Sequence, residues 1–299
     1  MDPPNVFWFF GAFVIEAGVY ALIEAIPTSQ DGLWRLVTAV GLFVGFVLLA
    51  AALVRRSWSV PGGLAAALAV GTLPAVAVGF LQLIDVWPHE SFLGPFTDFS
   101  GYWFGVALAT AAVGLLAFAL TRFPFIIGVS IAIVIVAAQL FVPCFVEAPS
   151  GDDRSTMALV VGSLLVIAGI FLDAFGRRRE AFWFHVLGWL TAAGGLILFT
   201  VDASGDTDRG WVPMLIVGLA LLVSAAPVRR ATWAVYGVLG FYAAVVHYLT
   251  TGLDESRWPF ALLLLVLGLS IFAFGMVTHR YGKALARRFV RRPPPALSP

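Results

Sequence analysis

Glu16, Tyr20 and Glu24 stand at i, i+4 and i+8 inside a long apolar run covering residues 6–26. In a helix that spacing puts all three on one face. Glu16 lies ten residues into the run, which at 1.5 Å per residue is about 15 Å. That is close to the middle of a bilayer core about 30 Å thick. An ionisable group at such depth is costly unless it meets a partner or water, so it marks a functional position by default. A polar stripe from mid-membrane to one surface is equipment for moving a proton or a cation. A protonated Glu16 bonded to a neighbouring helix is the plainer alternative. Glu24 and Arg35 flank the short turn at 27–32 at similar depth, and paired charges are the usual membrane solution, so the two are expected to form an ion pair. Asp173 precedes Arg177 by four residues, the favourable acid-first order for an i, i+4 pair.

Other polar residues are weaker pointers. Pro74 sits mid-way along its apolar run with Gln82 two turns later, and a proline can free a backbone carbonyl toward a cavity. Tyr236, Gly240, His247 and Thr251 share one helical face, a pattern that usually marks helix–helix contact. His185 and His247 fall near opposite ends of their runs and cannot ligate one haem iron. His89, Glu90 and His247 could together face a zinc ion, but the spacing matches no known signature. No metal and no cofactor are expected.

Absences narrow the chemistry. There is no Gly-x-x-x-x-Gly-Lys loop, no His-Glu-x-x-His and no Gly-x-Ser-x-Gly, so the ATPase, zinc-protease and serine-hydrolase readings lose their motifs. Cys144 is the only cysteine, and Lys283 the only lysine. No disulfide can form within the chain, and no lysine lies in an apolar run to hold a Schiff base.

The elements that must carry these residues follow from composition. The chain has 299 residues, 61% hydrophobic and 12% charged, about half the charge of a soluble domain. Apolar blocks long enough to cross a bilayer lie at 6–26, 33–54, 60–86, 101–120, 125–146, 157–175, 181–201, 211–227, 231–251 and 258–278. The expected fold is an all-α integral membrane protein of ten transmembrane helices in five hairpins. Residues 1–278 form one helical domain and 279–299 a basic, proline-rich tail. The partner implied is the lipid bilayer, with room for protein subunits. A net charge of +1 gives no reason to expect nucleic acid.

Orientation follows from arginine. Fourteen of the 18 basic residues follow the even-numbered helices, among them Arg55–Arg56, Arg177–Arg179 and Arg229–Arg230; only Arg35, Arg154, Arg209 and Arg257 lie on the other side. Basic excess marks the cytoplasm, so both termini are expected there. Nine of the ten tryptophans lie near helix ends, where the indole ring prefers the interface. The arginine clusters recur once per hairpin, with similar junctions at 54–58, 178–183 and 228–233. Parallel duplication, inverted duplication and convergence all fit this recurrence.

The run Ala181-Phe182-Trp183-Phe184-His185-Val186-Leu187-Gly188 is followed by Gly194-Gly195, Arg229-Arg230, Gly237-Val238-Leu239-Gly240 and Ser256-Arg257-Trp258-Pro259. In order and spacing, residues 160–290 resemble a family of uncharacterised bacterial polytopic inner-membrane proteins. The resemblance implies a multi-span protein of the bacterial inner membrane and carries no activity or site residue with it. Three functions compete on the sequence: binding or passage of a small solute, proton or lipid through a helix-bundle cavity; a non-catalytic membrane subunit or scaffold; and, with least support, a membrane enzyme. The residues to watch are Glu16, Tyr20, Glu24, Arg35, Gln82 and His247.

Overall fold

The computed structural model describes residues 3–26, 31–84, 86, 100–201, 210–228 and 230–251, together with Leu265 and Leu269. Among these residues the chain is helical, without strands. In order come α1 (Pro3–Glu24), α2 (Asp31–Arg55), α3 (Ser59–Leu83), α4 (Gly101–Thr121), α5 (Pro124–Phe141), α6 (Gly151–Ala174), α7 (Arg178–Val201), α8 (Trp211–Val228) and α9 (Ala231–Thr251). Six of them, α2 to α7, are long and apolar enough to cross a membrane, and α1 and α8 contain shorter apolar stretches. Apart from Leu265 and Leu269, which are helical, the tenth expected span and the tail lie outside the described residues.

Local chemistry sets the helix ends. Hydropathy alone starts the sixth helix at residue 157, whereas α6 begins at Gly151. Ser150 supplies the reason. Its hydroxyl accepts the Asp153 N–H at 3.3 Å, and Asp153 Oδ2 accepts the Ser150 N–H at 2.9 Å. This reciprocal capping box satisfies two otherwise orphaned donors and adds a polar turn to the span. The fifth helix is expected to reach residue 146 but ends at Phe141, passing into a 3-10 turn at Val142–Cys144. Pro143 has no N–H with which to continue the α ladder. Between α6 and α7 the chain turns at Gly176, whose φ of 78° is a left-handed conformation natural to glycine at a helix C-terminus.

The chain divides into two compact units, Met1–Thr191 and Ala192–Pro299. In the first, α3 is the central helix. It buries an almost unbroken small-residue stretch from Gly62 to Ala69. Its glycines allow close approach by neighbours: Gly62 takes Val54 of α2, Gly63 takes the Phe123 ring, Gly71 takes Glu16 of α1, and Gly79 lies against the backbone of Leu36 of α2. Lipid offers little hydrophobic drive between helices, so close approach through small residues has to supply the packing. The partnering that results departs from simple sequential hairpins. The extensive contacts are α2 with α3 and α4 with α5, while α1 rests mainly on α3 and only lightly on α2. The arginine spacing that suggests an α1/α2 hairpin does not register the glycines that draw α1 to α3.

Aromatic rings close the arginine-bearing end of this unit. Phe125 meets Phe9 at 5.2 Å and Trp183 at 5.1 Å between ring centroids, both edge-on. In the second unit α8 and α9 are antiparallel and meet through glycine. Gly218 faces Gly240 and Phe241, and Gly237 faces Leu222. Trp211 and His247 stack at the end of this pair, with centroids 4.2 Å apart and planes 8° from parallel.

Candidate functional site

A cavity of about 420 Å³ lies between α1, α3, α4 and α5. Its wall is apolar except around Glu16 and Tyr20, and among the described residues no lysine, arginine or histidine lines it. Phe13 and Phe125 bound it toward the arginine-bearing end, and Trp103 toward the opposite end. A volume in this range is ordinary for a small-molecule site, as is an apolar wall with a few polar groups.

Glu16 is held there by α3. Its carboxyl fills the space that a side chain at position 71 would need; a Cβ on Gly71 would overlap Oε1. Oε2 is buried and has no hydrogen-bond partner. One turn along α1, the Tyr20 hydroxyl donates to the Gly71 carbonyl at 2.8 Å. Pro74 lies three residues further along α3 and removes an N–H from the ladder at the Val70 carbonyl. The glycine, the proline and the tyrosine thus make one local arrangement, in which α1 bonds the α3 carbonyl next to the one that Pro74 leaves without its helical donor.

Neighbouring hydroxyls are committed elsewhere. Thr72 donates to the Leu68 and Ala69 carbonyls, Thr110 to Val106 and Ser130 to Ile126. Each bonds its own helix, which is how buried hydroxyls commonly satisfy themselves.

The other expected residues fall in different places. Glu24 closes α1, but its side chain lies outside the described residues, as do His89 and Glu90. Arg35, its expected partner, directs Nε and Nη2 at the Ile26 carbonyl, at 3.1 and 3.0 Å. The guanidinium thereby holds the chain two residues beyond the end of α1. Gln82 is half-buried in the last turn of α3 and is not part of the cavity wall. His247 belongs to the second unit, stacked on Trp211.

Asp173 is the clearest departure from expectation. Its Oδ2 lies 2.9 Å from Nε2 of His185 across the α6/α7 turn; the sequence pointed to Arg177 instead. The His185 ring is fully buried and packs over Gly169, where a Cβ would press on it. Helical periodicity within α6 points only to partners on the same helix. The signal that was available is Gly169, one turn before Asp173, opening a place for a ring from the next helix.

Sequence reasoning also misses Gly71 and the α4 and α5 walls of the cavity. The Gly-x-x-Pro spacing at 71–74 is the one trace of the site outside α1. Among the described residues no cluster of three metal-ligating side chains occurs. Comparison with family models, with curated proteins and with solved structures finds no match to this chain.

Proposed function

We propose that this is a membrane protein that binds a small solute or lipid in the Glu16 cavity and serves its passage, with proton movement through Glu16 as the limiting case. The single observation that supports this reading is that Glu16 lines an apolar cavity of about 420 Å³ and that one of its carboxyl oxygens is buried without a hydrogen-bond partner. A carboxyl that served only to join helices would be expected to use both oxygens, because buried polar groups without partners are costly.

The test is an alkyl diazirine probe applied to the protein in liposomes, with labelled peptides mapped by mass spectrometry. Saturable labelling of the α1 and α5 segments carrying Phe13 and Val129, altered by Glu16→Gln, is the expected result. Uniform labelling of lipid-facing residues, unchanged in the variant, would overturn it. The competing reading is a non-catalytic subunit whose polar groups only hold helices together. It requires Glu16→Gln to be nearly silent, since Gln preserves the hydrogen bonding of a protonated Glu.

The proposal extends to setting. Ten spans with both termini in the cytoplasm agree with the arginine distribution and the tryptophan positions. The residue order over 160–290 supports counting the chain among the bacterial inner-membrane proteins it resembles. Partner subunits remain compatible with this placement.

A further inference from the structure

We propose that the cavity selects an amphipathic ammonium ion, a molecule with an apolar body and a nitrogen that donates hydrogen bonds. This rests on the reading of the cavity as a ligand site and names the chemistry of its occupant.

The polar atoms in the middle of the wall are acceptors. Glu16 lines the cavity; in its ionised form, the form an ammonium ion favours, its oxygens accept only, and its buried Oε2 has no donor. The Tyr20 hydroxyl has already given its proton to the Gly71 carbonyl, so its oxygen can only accept from a ligand. The nearby hydroxyls of Thr72, Thr110 and Ser130 have likewise donated to their own helices. Among the described residues the one side-chain N–H on the wall belongs to Trp103, in the first turn of α4, at the end of the cavity away from Phe125. An anion would thus find no cation and would lie beside a carboxylate. A neutral alcohol would gain one hydrogen bond. An ammonium gains a charge-assisted bond to Glu16, roughly twice as strong as a neutral one, and a second acceptor in Tyr20. Aromatic rings add to the match. Phe13, Phe125 and Trp103 line the same space, and a cation is drawn to the faces of such rings most strongly where water is excluded. The remaining wall takes an alkyl or aryl body.

The experiment is competition for binding of radiolabelled octylammonium to the purified full-length protein in detergent, with an unrelated membrane protein as the blank for micelle uptake. The competitors are unlabelled octylammonium, octanol and octanoate. Octylammonium is expected to compete at least about tenfold better than either, a difference of about 1.4 kcal/mol. Glu16→Gln is expected to abolish that preference while octanol binding persists. The wild-type comparison stands without the variant, so a folding defect in Glu16→Gln does not blunt it. Octanol and octylammonium competing equally in wild-type protein would leave the ligand cavity in place and overturn the ammonium assignment. Preference for octanoate would overturn it as well, pointing to Trp103. Absence of saturable binding by all three would overturn both the assignment and the cavity reading beneath it.

Discussion

Glu16 and Gly71 exclude one another's alternatives: the carboxyl occupies the volume into which any side chain at position 71 would project. This contact fixes α1 against α3 and turns the carboxyl along the cavity wall. It predicts that Gly71→Ala is destabilising despite alanine's better helix propensity, which alone would favour it by about 1 kcal/mol. Overpacking of this kind costs about 1–3 kcal/mol. In a Glu16→Ala background the space is free, and the same change should be neutral or stabilising. Equilibrium unfolding of the four variants in mixed micelles measures the coupling. Equal effects of Gly71→Ala in both backgrounds would mean that the two residues do not meet.

Tyr20→Phe removes the side-chain donor to the Gly71 carbonyl. Hydrogen bonds between membrane helices average about 0.6 kcal/mol and reach about 1.7. A loss within that range is expected, accompanied by faster amide exchange around residues 71–75 as α1 loosens from the broken turn at Pro74. A stabilised Tyr20→Phe protein, with exchange in that segment unchanged, would show that the bond is not made.

The sequence reads well where one residue decides the matter. Glu16, Tyr20 and the proline at 74 announce themselves as polar or ring-constrained groups among apolar neighbours, and α9 begins and ends where hydropathy places it, at Ala231 and Thr251. It reads poorly where a helix chooses its partner. Gly71 is one of 30 glycines, and nothing local says that Glu16 will fill its space. Asp173 has an arginine at the favourable i, i+4 spacing on its own helix, yet its carboxylate lies against His185, twelve residues on. Arg35 reaches a carbonyl, a kind of partner that residue spacing never shows, while its expected pairing with Glu24 involves a side chain outside the described residues. Polar helix ends are lost for a related reason: Ser150 and Asp153 look like loop residues to hydropathy, although together they cap α6.

The proposed topology has its own test. A reporter active only on the periplasmic side should be silent when fused after Arg292 and active when inserted within 202–209. The motive is the 14-to-4 division of basic residues between the two sides, the strongest determinant of orientation. Activity after Arg292 and silence at 202–209 would reverse the map. Activity at both sites would mean an even number of spans between them.

His185 and Asp173 make a prediction that separates a hydrogen bond from an ion pair. The ring is fully buried and the carboxylate 22% exposed, with 2.9 Å between them. Removing the ring by His185→Ala empties a packed site over Gly169, a change of the class that costs about 2–5 kcal/mol in cores. Asp173 is part-exposed and can rehydrate where the ring was, so the lost contact adds less than it would at full burial. Asp173→Asn keeps an oxygen to accept the imidazole N–H and leaves the packing intact. If the contact is a hydrogen bond to a neutral ring, that variant should cost about 1 kcal/mol or less. If both groups are charged, it leaves a buried imidazolium without its counter-ion and should cost about as much as losing the ring. Gly169→Ala supplies the geometric control, since its Cβ would press on the ring: it should destabilise the wild type and become harmless once His185 is alanine. The expected order of cost is His185→Ala, then Gly169→Ala, then Asp173→Asn. Equal costs for His185→Ala and Asp173→Asn would assign a charged pair to the α6/α7 turn, and a Gly169→Ala penalty that survives His185→Ala would remove the ring from that position altogether.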